Sequence, residues 1–107
     1  MGGGVRFFQL EKLINLHDGY RRVFRIDQYQ LLLLQEHGEL YLFDAHCPHR
    51  GHPLLEATLQ NNNLRCPLHG YQFALRDGAL RVAGEEACKG LRRYEVVYRE
   101  TDVGLML

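Results

Sequence analysis

The sequence predicts a small all-β domain, an antiparallel barrel or sandwich with two loops carrying Cys and His at one end. Three observations lead there. Short apolar or alternating segments recur along the chain, each bounded by a turn signal. The strongest of those signals, Arg76-Asp77-Gly78, is a hairpin turn, because Asp-Gly accepts positive φ at little cost. The run Leu31-Leu32-Leu33-Leu34 falls far short of the roughly 20 apolar residues of a membrane helix, and fits a strand buried on both faces.

Taken in order, residues 7–10 form the first expected strand. Residues 11–16 read as one helical turn or irregular chain, and Asp18-Gly19 as a turn. Residues 20–26 and 29–36 are two strands about a tight Asp27-Gln28 turn, and His37-Gly38 leads into a strand over 39–44. In that strand Leu40, Leu42 and Asp44 point one way, Tyr41 and Phe43 the other, as a period of two requires. Residues 45–54 break the pattern and read as an irregular loop. Residues 58–60 and 63–65 flank an Asn61-Asn62 turn, and residues 66–70 make a second loop of the same kind. Strands over 71–75, 79–82, 91–99 and 103–107 complete the set, with a polar connection over 83–90.

The 107 residues make one domain spanning 1–107, with 1–4 expected as a flexible lead. Apolar residues are 46% and charged residues 24%, values that exclude disorder, collagen-like repeats and a coiled coil. Thirteen basic residues balance thirteen acidic ones. That neutrality argues against nucleic-acid or anionic-membrane binding, which need a positive excess. The start carries no apolar signal region, and Arg6 fails the myristoylation pattern. A chain without a membrane span, located in the cytoplasm, is the expectation.

Three cysteines are too few, and the wrong parity, for a disulfide framework. In a reducing compartment cysteines more often serve metals or catalysis. His46, His49 and His52 crowd around Cys47, and His69 follows Cys66. Cys47-Pro48-His49 and Cys66-Pro67-Leu68-His69 are near copies, sixteen residues apart. Each presents one thiolate and one imidazole on a turn stiffened by Pro. Two thiolates suit an iron bridged by sulfide, and two neutral imidazoles suit a second iron. The same donors also satisfy a zinc ion. Their order, Cys, His, Cys, His, differs from that of a zinc finger, where both cysteines come first.

Cys47-Pro48-His49-Arg50-Gly51 together with Cys66-Pro67-Leu68-His69-Gly70 resembles the Rieske iron–sulfur domain. The resemblance covers nearly the whole chain and leaves no room for a catalytic domain. It implies a Rieske-like fold and one 2Fe-2S cluster, with Cys47 and Cys66 on one iron and His49 and His69 on the other. Rieske proteins of respiratory cytochrome complexes carry an extra cysteine in each loop, joined as a disulfide. His52 and Leu68 stand at those positions here, so that bridge cannot form. Those proteins also place Ser two residues and Tyr four residues after the second histidine ligand, where Tyr71 and Phe73 stand here. The chain is thus more similar to the ferredoxins that feed oxygenases, although such proteins commonly have Trp where it has Leu68 or Tyr71. The resemblance implies a non-enzymatic, low-potential electron carrier between a flavin-containing reductase and an oxygenase or other acceptor. The alternative is a non-catalytic small subunit of an oxidoreductase such as nitrite reductase.

The remaining residues of interest have plainer readings. His46 is expected in a surface or supporting role, because adjacent residues do not easily direct both side chains at one cluster. His52 is expected to cover the centre by packing, and Cys88 to be a packing residue or free thiol. His17 and His37 fall at turns and read as solvated. Arg21-Arg22 and Arg92-Arg93 read as solvated strand faces, with docking charges as the alternative.

Overall fold

In a computed structural model that describes residues 5–107, the strand carrying the four leucines is the one the rest is built around. The expected flexible lead at 1–4 lies outside the described residues. That strand is β3 (Tyr29–Glu36), and Leu31, Leu32, Leu33 and Leu34 are all fully buried. It pairs antiparallel with β2 (Arg21–Ile26) on one side and β4 (Glu39–Asp44) on the other. The short β9 (Arg93–Tyr94) extends β4 and completes a four-stranded sheet in the order β2-β3-β4-β9.

The two faces of this sheet serve different cores. Leu31, Leu33 and Leu42 face Leu10, Tyr94, Val103 and Leu105. The last two lie in a three-stranded sheet of β1 (Phe7–Lys12), β11 (Asp102–Met106) and β10 (Val97–Arg99), in the order β1-β11-β10. Leu32, Leu34 and Phe43 face Leu64, Phe73, Cys47 and Cys66. This second core belongs to the sheet of β5 (Thr58–Gln60), β6 (Asn63–Arg65), β7 (Gln72–Ala74) and β8 (Leu80–Val82), paired in chain order. A four-leucine run is therefore a strand with a core on each side, and period two divides its leucines between them. The expected opposite facing of Leu42 and Phe43 holds for the same reason.

The turns sit where their residues demand. Asn61 and Asn62 both take positive φ, 51° and 64°, as a two-residue hairpin turn requires. Gly78 takes φ of 78°, and the Asp77 carboxylate accepts the Ala79 N–H at 2.9 Å. Residues 13–15 form a single 3-10 turn after β1.

One expected strand is divided. Residues 91–99 are not continuous: β9 pairs with β4 in the central sheet, and β10 pairs with β11 in the outer one. The chain passes from one layer to the other at Glu95-Val96. Other strand edges differ from expectation by one or two residues, as fraying ends do.

The arginine pairs are mostly structural. Arg21 donates to the carbonyls of Leu55 and Ala57, tying β2 to the segment that leads into β5. Arg22 lies over Phe24 and 3.6 Å from Glu11. Arg92 covers Tyr94, and Arg93 covers Tyr41 and donates to the Arg76 carbonyl. His17 and His37 are exposed at turns, as expected.

Candidate metal centre

Two six-residue loops build the site. The first, residues 47–52, follows β4, and the second, residues 66–71, joins β6 to β7. In each loop the first residue is a cysteine whose N–H donates to the carbonyl five residues on: Cys47 to His52 and Cys66 to Tyr71, both at 2.8 Å. In each the fifth residue is a glycine in the left-handed region, Gly51 at φ 72° and Gly70 at φ 70°. That backbone turn is what glycine supplies without a Cβ penalty. The histidine sits third in the first loop and fourth in the second. His69 itself takes φ of 68°, an uncommon value for a residue with a side chain.

The four candidate donors fall into two pairs. Cys47 and Cys66 are buried, 2% and 1% exposed, on the core that Leu32 and Leu34 supply. Neither is disulfide-bonded, and both belong to the same buried cluster. Burial, and then the neighbouring Cys47 thiol, pushes the Cys66 thiol above its ordinary range, while the Leu68 N–H pulls it back. His49 and His69 lie beside each other, ring centroids 5.5 Å apart and 62° between planes. His49 stacks on Tyr71 at 4.1 Å and 22°, and its Nε2 lies 2.7 Å from a Glu86 carboxylate oxygen. The His49 side chain is 5% exposed, whereas His69 is open to solvent.

This donor set fits a two-iron cluster. A pair of buried, unbridged thiols loses its protons when a bound cation supplies the charge that burial removes. A separate imidazole pair suits a second metal alongside the first. Among the described residues no three His, Cys, Asp or Glu side chains converge as ligands of a single ion. One pair of buried thiols and one pair of imidazoles are the donor types of a two-iron cluster.

Of the four residues picked from the sequence, Cys47 and Cys66 share one core and the His49 and His69 rings lie beside each other. His46 stays apart: it is half-buried, forms an isolated bridge with Pro53, and borders a hollow shared with Gln30, Asp44 and Arg92. His52 contributes its carbonyl to the loop closure. Cys88 is a free, half-buried thiol that packs against the cysteine-bearing core and donates to the Lys89 carbonyl at 3.2 Å. It is distant from both loops in sequence but not in space. Sequence reasoning missed Glu86. The acidic pair Glu85-Glu86 in the polar connection is the only mark of it, and no local pattern aims that pair at His49.

Residues 7–95 match the family profile described as Rieske [2Fe-2S] domain. The chain is 32% identical over 65 residues to the ferredoxin component of the alkene monooxygenase system of Xanthobacter autotrophicus, covering 60% of this chain and 53% of that one. It is 33% identical over 66 residues to human apoptosis-inducing factor 3, covering 62% of this chain and 11% of the relative. The chain thus spans about half the length of the first and about a tenth of the second. Its fold resembles a ferredoxin of Sphingomonas yanoikuyae B1, with a TM-score of 0.81 at 19% identity over 95% of this chain and 99% of that one. It also resembles the ferredoxin of carbazole 1,9a-dioxygenase from Nocardioides aromaticivorans, with a TM-score of 0.77 at 22% identity over 92% and 95%. Among the described residues no helix is long and apolar enough to cross a membrane.

Proposed function

Because this chain belongs to the Rieske [2Fe-2S] domain family, we propose that Cys47, His49, Cys66 and His69 hold one 2Fe-2S cluster and that the protein carries single electrons without catalysing a reaction itself. When bound, the cluster accepts and returns one electron. The observation that carries this reading is the division of the candidate donors into two buried thiols and two neighbouring imidazoles, of which His69 is exposed. The cysteines anchor the inner iron to the core. The two histidines bring the outer iron to the exposed end, where His69 offers a short path to a docked partner. The donor is a flavin-containing reductase and the acceptor an oxygenase or similar enzyme, in the cytoplasm. Two relatives with ferredoxin names support this: the alkene monooxygenase component in sequence and the carbazole dioxygenase ferredoxin in fold.

The test is on the purified protein. A rhombic EPR signal on reduction, with two irons and two sulfides per chain, is the expected result. A colourless protein holding stoichiometric zinc after anaerobic preparation and cluster reconstitution would replace this reading with a zinc-stabilised module.

A further inference from the structure

We propose that Glu86, pinned by Tyr71 and paired with Arg50, is a positioning residue that fixes the His49 ring and sets the potential of the centre. The inference rests on the ligand assignment above. His49 Nε2 and an Arg50 guanidinium nitrogen each lie 2.7 Å from the same Glu86 oxygen. Glu86 belongs to the exposed connection between β8 and β9, which has no regular structure, yet its backbone is held twice. The Tyr71 hydroxyl donates to the Glu86 carbonyl at 2.6 Å and accepts from the Glu86 N–H at 3.1 Å. The Tyr71 ring is buried, and His49 stacks on its face. Gly84 lets the connection cross that ring, since a Cβ there would come within 2.9 Å of Tyr71 Cε1. One tyrosine therefore supports His49 from behind and holds in place the carboxylate that caps it. With Nε2 committed to Glu86, Nδ1 is the nitrogen of His49 left for a metal. His69 has no such cap among the described residues, so the centre is one-sided, with its open imidazole at position 69.

The two charges at the cap oppose each other. Reduction adds one electron, drawn from dithionite in a titration, and makes or breaks no bond. An anion beside the His49 ring disfavours the added negative charge, and a cation favours it. Glu86 and Arg50 therefore move the potential in opposite directions. Both side chains are more than half exposed, 55% and 56%, so solvent weakens each effect without changing its sign.

The experiment compares Glu86→Gln, Arg50→Gln, the double variant and Tyr71→Phe as cluster-loaded proteins. Iron, sulfide and EPR measurements come first, then redox titration. The midpoint rises in Glu86→Gln, falls in Arg50→Gln and returns close to the parent value in the double variant. Tyr71→Phe keeps the stacked ring but releases the connection, and shifts in the direction of Glu86→Gln by a smaller amount. Shifts of one sign in Glu86→Gln and Arg50→Gln, or no shift in either at full cluster content, overturn the proposal. If Glu86→Gln does not load, Arg50→Gln and Tyr71→Phe decide it by the same signs. Failure of the parent protein itself to load a cluster overturns the ligand assignment instead.

Discussion

Phe73 and Tyr71 show how much of the centre's electronic character rests on single side chains. Donors aimed at cluster sulfurs favour the reduced form, and family members with high potentials supply two hydroxyls for this purpose. Here the Tyr71 hydroxyl is spent on the Glu86 backbone, and fully buried Phe73 has none. The expected midpoint lies below about 0 mV, in the lower part of a range of roughly −150 to +300 mV. Redox titration followed by EPR checks it, and a value above about +200 mV would contradict the hydroxyl argument. Phe73→Tyr should raise the midpoint if its hydroxyl reaches a cysteine sulfur. The ligands give a second expectation. His69→Ala and His49→Ala should each cost nearly all bound iron and sulfide, while Cys88→Ser retains them, because Cys88 has its own partner at the Lys89 carbonyl. Full cluster content in His69→Ala would remove that residue from the ligand set. At this scale the sequence was most legible where the chemistry is local. The paired Cys-Pro and Gly positions mark the two loops and their candidate donors within a few residues, and the loops close alike. Glu86 reaches His49 across 37 residues, and nothing local encodes that approach.

At the scale of elements, Glu11 is the counterpart of Glu86, a carboxylate whose partners come from elsewhere in the chain. It is buried at the end of β1 and accepts from Asn15 at 2.9 Å, Tyr20 at 2.7 Å and the Lys12 N–H at 2.8 Å. Those bonds, led by Asn15 and helped by Arg22, hold its pKa at about 2 against an ordinary 4.5. A depressed carboxylate stabilises the fold above its unfolded pKa, and that contribution fades as pH falls toward the folded value. Unfolding free energy should therefore drop between about pH 4.5 and 2 in the parent protein. Glu11→Gln should be less stable by about 1–3 kcal/mol near neutrality and lose less than the parent across that window. Urea titrations at a series of pH values test this, and parallel curves for the two proteins would contradict it. Strand pairing shows the same division between local and distant signals. Hairpins such as β3–β4 were legible because a turn and two alternating segments are contiguous. The break between β9 and β10 was not, although a trace of it exists. Val96 and Val97 are both half-buried in succession, a slip in phase that a continuous strand does not make. Which sheet claims each half depends on β4 and β11, far away in sequence.

For the whole molecule, the central sheet links the site to one core and leaves the other free of it. Leu32 and Leu34 belong to the cluster of buried residues that includes both Cys47 and Cys66, whereas Leu31 and Leu33 belong to the core beneath β1 and β11. All four leucines are fully buried, so truncating any of them to Ala should cost a similar amount, about 2–5 kcal/mol. The functional consequences should differ. A bound cluster stabilises the folded state by an amount that grows with the logarithm of its affinity, and a core that supports the thiols governs that affinity. A cavity at Leu32 loosens the bed on which Cys47 and Cys66 sit. A cavity at Leu33 opens on the opposite side of the sheet, separated from the loops by the β3 backbone. Leu32→Ala should therefore release iron to a chelator several times faster than the parent, while Leu33→Ala releases it at nearly the parent rate once temperature is adjusted to equal distance from each protein's melting point. Chelator-release kinetics with thermal melts on both variants make the comparison. Equal acceleration in the two would mean that the cores are coupled through the sheet and that cluster retention tracks global stability alone.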